Sequence, residues 1–340
     1  MDAMKSSDRP LSETYDVALL DLDGVVYIGY KAVPRAVEAL EKARAAGQRL
    51  AFVTNNASRT PSAVASILTD VGVPAGAEDV VTSAQAAARL LAERLPAHSK
   101  VLVVGGMGLR QALYEQGLRP VSVASERPAA VVQGYDPGLS YGLIAEGTRA
   151  VRDGALFVGS NGDLTIPGGG GRIQPGNGAL LRVITAATGV EPIITGKPER
   201  ILHHESILRT GAQRPLVVGD RLDTDIEGAH NGGSDSLLVF TGVTDPMEVL
   251  TAPPHQRPTY FAQDLTGLLV PHRGVETEGD RFRCAGWTAR WEGDRVALTG
   301  DGDAYDGLRA LAGAAWSRET PPEAAALSSA LQRLPLGRSG

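Results

Sequence analysis

The chain has 340 residues, 43% of them hydrophobic and 21% charged, with a formal net charge of −6. That is the composition of a soluble globular protein of about two or three domains, and its acidic balance excludes a general nucleic-acid or membrane-binding surface. The one cysteine, Cys284, excludes a disulfide framework and a cysteine metal cluster, and no apolar run approaches membrane-spanning length. The polar stretch from Met1 to Asp16 has no apolar signal-peptide core, so a cytoplasmic protein is the expectation.

Val17-Ala18-Leu19-Leu20 is a short, continuous apolar run and reads as a buried parallel strand. It ends in Asp21-Leu22-Asp23-Gly24-Val25. Side chains two apart on an extended chain point the same way, so Asp21 and Asp23 are expected to face one reaction centre while Gly24 lets the chain turn. The plain alternatives are two solvated acids or a calcium loop. A calcium loop counted from Asp21 would put Val26 at the glycine position and Ala32 at the closing glutamate, so it fails. Pro34 to Ala46 reads as a helix with Pro34 in its first turn, Val37 and Leu40 on one face and Gly47 as its stop. The strand Leu50 to Val53 completes a βαβ unit and runs into Thr54-Asn55-Asn56. Taken alone, Thr54 reads as a cap for the next helix, Pro61 to Val71; Val80-Val81 is a further short strand.

A complete α/β pattern follows. Val101 to Val104, Ala130 to Val132 and Ala155 to Val158 read as strands, Leu109 to Gln116 and Tyr141 to Arg152 as helices. The strand Pro192 to Ile194, which runs into Thr195-Gly196-Lys197-Pro198, arrives far too late after Ser83 for an ordinary connection. An inserted domain over 84–190 is therefore expected. Within it, Val103-Val104-Gly105-Gly106-Met107-Gly108 looks like a dinucleotide fingerprint, but Gln111 holds the place of the third glycine. A tight strand-to-helix turn explains those glycines without a ligand. Gly168 to Gly171 reads as a surface loop, and Arg172 behind it is a candidate to meet a ligand anion or hydroxyl. In Gly159-Ser160-Asn161-Gly162-Asp163, Asn161 and Asp163 read equally well as fixing the loop or touching substrate.

Glu199 to Leu208 reads as a helix, and Leu216 to Val218 as a strand that leads to Gly219-Asp220, with Asp223 and Asp225 in the same turn. A calcium loop counted from Asp223 fails at Ser234. Leu237 to Phe240 is another strand and Pro258 to Phe261 an edge. Past Leu269, Phe282 to Trp291 and Arg295 to Thr299 read as a hairpin about Gly293-Asp294, then Tyr305 to Trp316 and Pro322 to Leu334 as helices. A piece of that size is near the lower limit of independent stability, so it should pack on the core or on a second subunit. Its element order suits half an acetyltransferase, but Asp301 and Asp303 put acids where a pyrophosphate needs free N–H groups. No second activity is expected from it.

In an open parallel sheet, ligands bind beyond the carboxyl ends of the strands. Asp21 with Asp23, Thr54, Lys197 and Asp220 each follow an apolar run of that kind. Together, Asp21-x-Asp23-Gly24-Val25, Thr54-Asn55-Asn56, Gly196-Lys197-Pro198 and the stretch from Gly219 to Ile226 resemble the four motifs of the haloacid dehalogenase-like phosphatases. The wording is similar to the branch of nitrophenylphosphatase-, phosphoglycolate phosphatase- and nucleotide phosphatase-type enzymes, and most of all to its glycerol 3-phosphate phosphatases. The resemblance covers roughly the first three quarters of the chain. It implies an α/β fold: a doubly wound, Rossmann-like parallel sheet over 1–83 and 191–269, a large α/β cap over 84–190 and a small C-terminal α+β piece over 270–340.

The same resemblance implies Mg²⁺ bound by Asp21, Asp220 and the backbone carbonyl of Asp23, with Asp225 orienting the metal's waters. Asp21 is then the nucleophile that forms an aspartyl-phosphate, and Asp23 the general acid and base. Thr54, Asn55 and Lys197 would hold the phosphoryl group, and Arg172 the rest of the substrate. A cap that closes over the strand ends excludes polymers, so the substrate should be a small phosphomonoester. Glycerol 3-phosphate is the leading expectation; 2-phosphoglycolate, pyridoxal phosphate and nucleotides are alternatives, with a phosphomutase or a non-catalytic regulator behind them. No nucleic acid or membrane partner is expected, and a homo-oligomer stays open.

Overall fold

The structure is a computed structural model that describes residues 4–168 and 172–336. Its main parallel sheet is built on β1 (Val17–Leu20), whose four residues are all buried. β1 pairs with β13 (Pro215–Gly219), Val17 against Pro215 through Leu20 against Val218. β13 pairs with β14 (Asp235–Val239), and β14 with β15 (Tyr260–Ala262), which forms one edge. With β4 (Arg49–Thr54) and β5 (Val80–Thr82), the strand order is β15-β14-β13-β1-β4-β5. The sheet thus winds outward in both directions from β1, the arrangement that leaves a ligand crevice where the winding reverses. Between β1 and β4 lie a two-strand hairpin, β2 (Tyr27–Ile28) with β3 (Lys31–Ala32), and the helix Ala36–Ala45. Pro34 lies outside that helix, not in its first turn: Arg35 precedes it in a left-handed conformation at φ 65°.

By contacts the chain divides into two units, one of Met1–Ala51, Val71–Val73 and Ala212–Gly340, the other of Phe52–Asp70 and Pro74–Gly211. β4 carries the chain from the first into the second. The second unit contains a five-stranded parallel sheet, in the order β12 (Ile193–Ile194), β9 (Leu156–Gly159), β8 (Ala130–Gln133), β6 (Lys100–Val104) and β7 (Arg119–Val121). Side chains along its strands alternate between two apolar faces. Val101, Val103, Val132 and Val158 meet Leu91, Leu109 and Leu113 on one face, and Leu102, Val104, Val131 and Phe157 meet Val151, Leu181 and Ile184 on the other. Helices therefore cover both faces, as parallel strands require. The sequence reading placed the run before Lys197 with the strands of the main sheet; the structure pairs it instead with Val158 and Gly159. A two-residue strand with both side chains half-buried carries no apolar signature that assigns it to one sheet over another.

The expected loop at Gly168 begins inside a hairpin, β10 (Thr165–Gly168) against β11 (Arg172–Pro175), with Gly168 opposite Arg172. Gly169 to Gly171 lie outside the described residues. Two helices absent from the sequence reading complete the unit, Ser83–Arg94 and Asn177–Thr188. Buried Glu205, 1% exposed, is paired with Arg89 of the former and with Arg209 of its own helix, Arg200–Thr210. Losing either arginine would leave a carboxylate out of water with half its compensation.

The C-terminal residues fold on the first unit. β16 (Glu276–Glu278), β17 (Arg281–Cys284), β18 (Trp287–Glu292) and β19 (Arg295–Gly300) form an antiparallel sheet covered by the helices Ala304–Trp316 and Ala324–Leu331. The stretch Phe282 to Trp291 is thus two strands, not one; Ala285, at φ 50°, turns the chain between them. One apolar cluster runs from Leu222, Ile226, Val249, Leu250 and Phe261 into Phe282, Trp287, Leu298, Leu308, Leu311 and Leu327. Arg309 stitches the same boundary. It donates to Phe261 O at 2.9 Å and to Asp306 Oδ1 at 2.9 Å, and lies over the Phe261 ring. Burial beside Asp306 pushes the Cys284 thiol up to about 12, so this cysteine is a small core residue and not a nucleophile. Among the described residues, no helix is long and apolar enough to cross a membrane.

A shared core means shared unfolding. Leu308→Ala should cost about 2–5 kcal/mol and lower the main thermal transition of the first unit, followed by calorimetry. A separate, earlier transition with the main one unmoved would show that the C-terminal piece unfolds alone. In the second unit, burial and the neighbouring Arg200 and His204 push the His203 imidazole down to about 4 from 6.5. The folded protein prefers the neutral ring, and the unfolded chain takes the proton that the folded one refuses. Stability from this residue is intact above the unfolded value and falls as pH drops from there towards 4, by about 3 kcal/mol. Urea midpoints from pH 7 to pH 4 should show this loss relative to His203→Gln; parallel curves would remove His203 from the acid response.

Candidate active site

In the first unit the acids sit where three adjacent strands end. The Asp21 N–H, straight after β1, donates to Val218 O at 2.8 Å, which ties the end of β1 to that of β13. Asp220 follows β13 directly, and its Oδ2 accepts the Val243 N–H at 2.7 Å from the loop after β14. Asp225 lies in the π-helical turn Leu222–Ile226 and its Oδ2 accepts the Arg221 N–H at 3.2 Å. One carboxylate oxygen each from Asp21, Asp220 and Asp225 lie within 4.8 Å of one another. Asp220 is 1% and Asp225 2% exposed, while Asp21 is half-buried and forms the open side.

Three carboxylates this close, two of them out of water, repel one another and need a positive partner. The donors are all oxygens, which suits a hard cation such as Mg²⁺. Space around Asp220 exists only because glycines face it. A Cβ on Gly24, whose φ is +85°, would stand 2.6 Å from Asp220 Oδ2, and one on Gly242 would overlap the carboxyl group. Asp23 is exposed and is not one of the three. Asp223 is paired with Arg221 at the surface, Arg221 Nη2 lying 2.8 Å from Asp223 Oδ2. The Thr241-to-Thr244 loop supplies Gly242 and the Val243 N–H; its one signal in the sequence is a glycine three residues past the end of β14.

In the second unit, Thr54 ends β4 and is buried; its Oγ1 accepts the Asn56 N–H at 3.1 Å, and its own O–H remains a donor. Asn55 and Lys197 are brought together. The Lys197 N–H donates to Asn55 Oδ1 at 2.7 Å, and Lys197 Nζ donates to Val53 O at 3.1 Å. Asp163 joins them, its Oδ2 accepting from Asn55 Nδ2 at 3.0 Å. Of the two roles that the sequence left open for Asn161 and Asp163, both residues serve the first: each is hydrogen-bonded to Asn55. Arg172 is exposed at the start of β11.

A family profile described as haloacid dehalogenase-like hydrolase matches residues 18–119, and a second, HAD-hydrolase-like, residues 194–268. A third, for a GCN5-related N-acetyltransferase like domain, matches 284–336. The chain is 40% identical over 317 residues to a D-glycerol 3-phosphate phosphatase of Mycobacterium tuberculosis, covering 91% of this chain and 88% of that one. It is also 40% identical to a 5'-nucleotidase of Bacillus subtilis, but over 75% of this chain and 97% of that one. A crystal structure of the glycerol phosphate phosphatase of M. tuberculosis in complex with magnesium superposes with a TM-score of 0.87 at 39% identity, covering 97% of this chain and 100% of that one.

If the three carboxylates hold the cation, Mg²⁺ should raise the thermal midpoint, because it binds the native site and relieves repulsion there. The shift should vanish in Asp220→Ala. In Gly242→Ala, where the new methyl displaces the carboxyl group, Mg²⁺ should bind about tenfold more weakly, about 1.4 kcal/mol. An undiminished shift in both variants would put the cation elsewhere.

Proposed function

The chain belongs to the haloacid dehalogenase-like hydrolases, and from that premise we propose that it is a Mg²⁺-dependent phosphatase of glycerol 3-phosphate. The observation that carries the substrate is the extent of the likeness. The nucleotidase and the glycerol 3-phosphate phosphatase are equally identical to this chain, but the match to the latter extends over 91% of it against 75%. A match of that extent has to reach into the C-terminal piece.

Held by Asp21, Asp220 and the backbone carbonyl of Asp23, with Asp225 beside them to orient its waters, Mg²⁺ would neutralise carboxylate and phosphoryl charge. The Asp21 carboxylate attacks phosphorus in line, forming an O–P bond as the ester O–P bond breaks. Asp23, outside the acid triplet, gives its proton to the departing alkoxide and then takes one from the water that attacks the aspartyl-phosphate. That second displacement breaks the Asp21–phosphorus bond, restores the carboxylate and releases inorganic phosphate. Thr54 donates its O–H to a phosphoryl oxygen, and Lys197 supplies the local positive charge that a chain of net −6 otherwise lacks. Asn55 contributes to the phosphoryl site through its backbone. Arg172 is assigned to the hydroxyl-bearing end of the substrate, and the cap over 84–190 to excluding polymers, nucleic acid among them. We place the enzyme in the cytoplasm.

Phosphate release from glycerol 3-phosphate, 2-phosphoglycolate, AMP and pyridoxal phosphate, measured side by side with Mg²⁺ and no bisphosphate activator, tests this. Glycerol 3-phosphate should lead AMP and pyridoxal phosphate by at least about tenfold in kcat/KM, a gap of about 1.4 kcal/mol. Asp21→Asn should release none while keeping its fold. A lead for AMP or pyridoxal phosphate would overturn the substrate, and a wild-type rate in Asp21→Asn the nucleophile.

A further inference from the structure

Lys197 carries the positive charge of the proposed chemistry, and one side chain brackets its peptide from both sides. Asn55 Oδ1 accepts the Lys197 N–H at 2.7 Å, and Asn55 Nδ2 donates to Lys197 O at 3.2 Å. The second N–H of the amide goes to Asp163 Oδ2 at 3.0 Å. A primary amide has two N–H donors, and both are engaged, so the side chain itself has no donor left for substrate. Asn55 is fixed through its backbone too: its carbonyl accepts Ser83 Oγ at 2.7 Å and Asn161 Nδ2 at 2.9 Å. Asn161 is held in turn by Asn177, whose Nδ2 donates to Asn161 O at 2.8 Å. The approach is tight enough that a Cβ on Gly196 would stand 2.5 Å from Asn55 Oδ1.

The two ends of a carboxamide have nearly the same shape, so packing alone does not decide which faces Lys197. A turned amide would put its NH₂ against the Lys197 N–H, donor to donor. The Asp163 carboxylate only accepts, and it therefore selects the end that faces it. We propose that Asn55 and Asp163 are a positioning pair for Lys197: Asn55 clamps its peptide, and Asp163 fixes the orientation of the clamp. This rests on the reading of Lys197 as the residue that neutralises phosphoryl charge.

The test is a double-mutant cycle on phosphate release from glycerol 3-phosphate, with thermal midpoints as the check on folding. Asn55→Ala should lower kcat/KM by about tenfold or more, mostly in kcat, when Lys197 is present, and by less than about twofold on top of Lys197→Ala. A contact between the Asn55 side chain and substrate, or a general role in stability, would instead give the full loss in both backgrounds, and that result overturns the positioning role. Asp163 supplies a second arm should Asn55→Ala fold poorly. Asp163→Asn, whose amide presents donors as readily as an acceptor, and Asp163→Leu, which presents neither, should each lose about tenfold. Wild-type activity in both would show that the orientation of the Asn55 amide does not depend on Asp163 and would overturn its part in the pair. A Lys197→Ala variant as active as wild type would overturn the catalytic reading itself, and so is distinguishable from failure of the pair.

Discussion

Asp220 and Asp225 lie almost beyond the reach of water, with the Asp21 carboxylate beside them. An ion moved out of water without compensation costs several kcal/mol even after the protein relaxes. The first unit meets that cost by the way its strands end. Parallel registry puts the ends of β1, β13 and β14 side by side, so that the loop after one strand reaches the acid after the next. The Val243 and Arg221 N–H groups then face the carboxylates of Asp220 and Asp225. What backbone donors leave uncompensated is the charge that a divalent cation supplies. The glycines at 24 and 242 and the π-helical turn follow from fitting that charge into little room.

The C-terminal piece belongs to the same constraint. Leu222 and Ile226 flank the turn that presents Asp225, and both lie in the apolar cluster that also contains Leu308, Leu311 and Leu327. The metal-facing turn is thereby backed by a hydrophobic core to which the tail contributes. A second chemistry in the tail is disfavoured by its own helix. Asp303 caps Ala304–Trp316, accepting the Tyr305 N–H at 2.8 Å and the Asp306 N–H at 3.3 Å. Those are N–H groups that a pyrophosphate would need, and a carboxylate already holds them. Likeness to an acetyltransferase here is likeness of fold, which does not by itself carry function.

The acid motif was legible because a short apolar run that stops at an Asp suits the end of a buried strand and little else; Val17–Leu20 and Pro215–Gly219 are such runs, and they pair. The second sheet was legible for the same reason, since strands buried on both faces read as unbroken apolar stretches. Some signals were present and passed over. Thr82 and Gln85 form a capping box that announces the helix Ser83–Arg94. Others were not in the local sequence at all. Asp163 meets Asn55 across 108 residues of chain, and no spacing rule predicts that contact. Ile193–Ile194 is too short to declare its sheet, and the break at Ala285 rests on a left-handed residue that is not a glycine.

The path of the chain through β4 has a consequence for synthesis on the ribosome. β1 emerges early and finds β4 within a few dozen residues, but its other neighbour, β13, lies about 200 residues further on, beyond the whole second unit. At about 5–20 residues per second the wait is ~10–40 s. Throughout it, one edge of a fully apolar strand stands open, next to an Asp21 whose two partner carboxylates and loop donors have yet to be made. The second unit, contiguous but for a short return, is complete first. Nascent chains of this protein should therefore carry a finished insert and an unfinished host, and it is the host strand that calls for a chaperone.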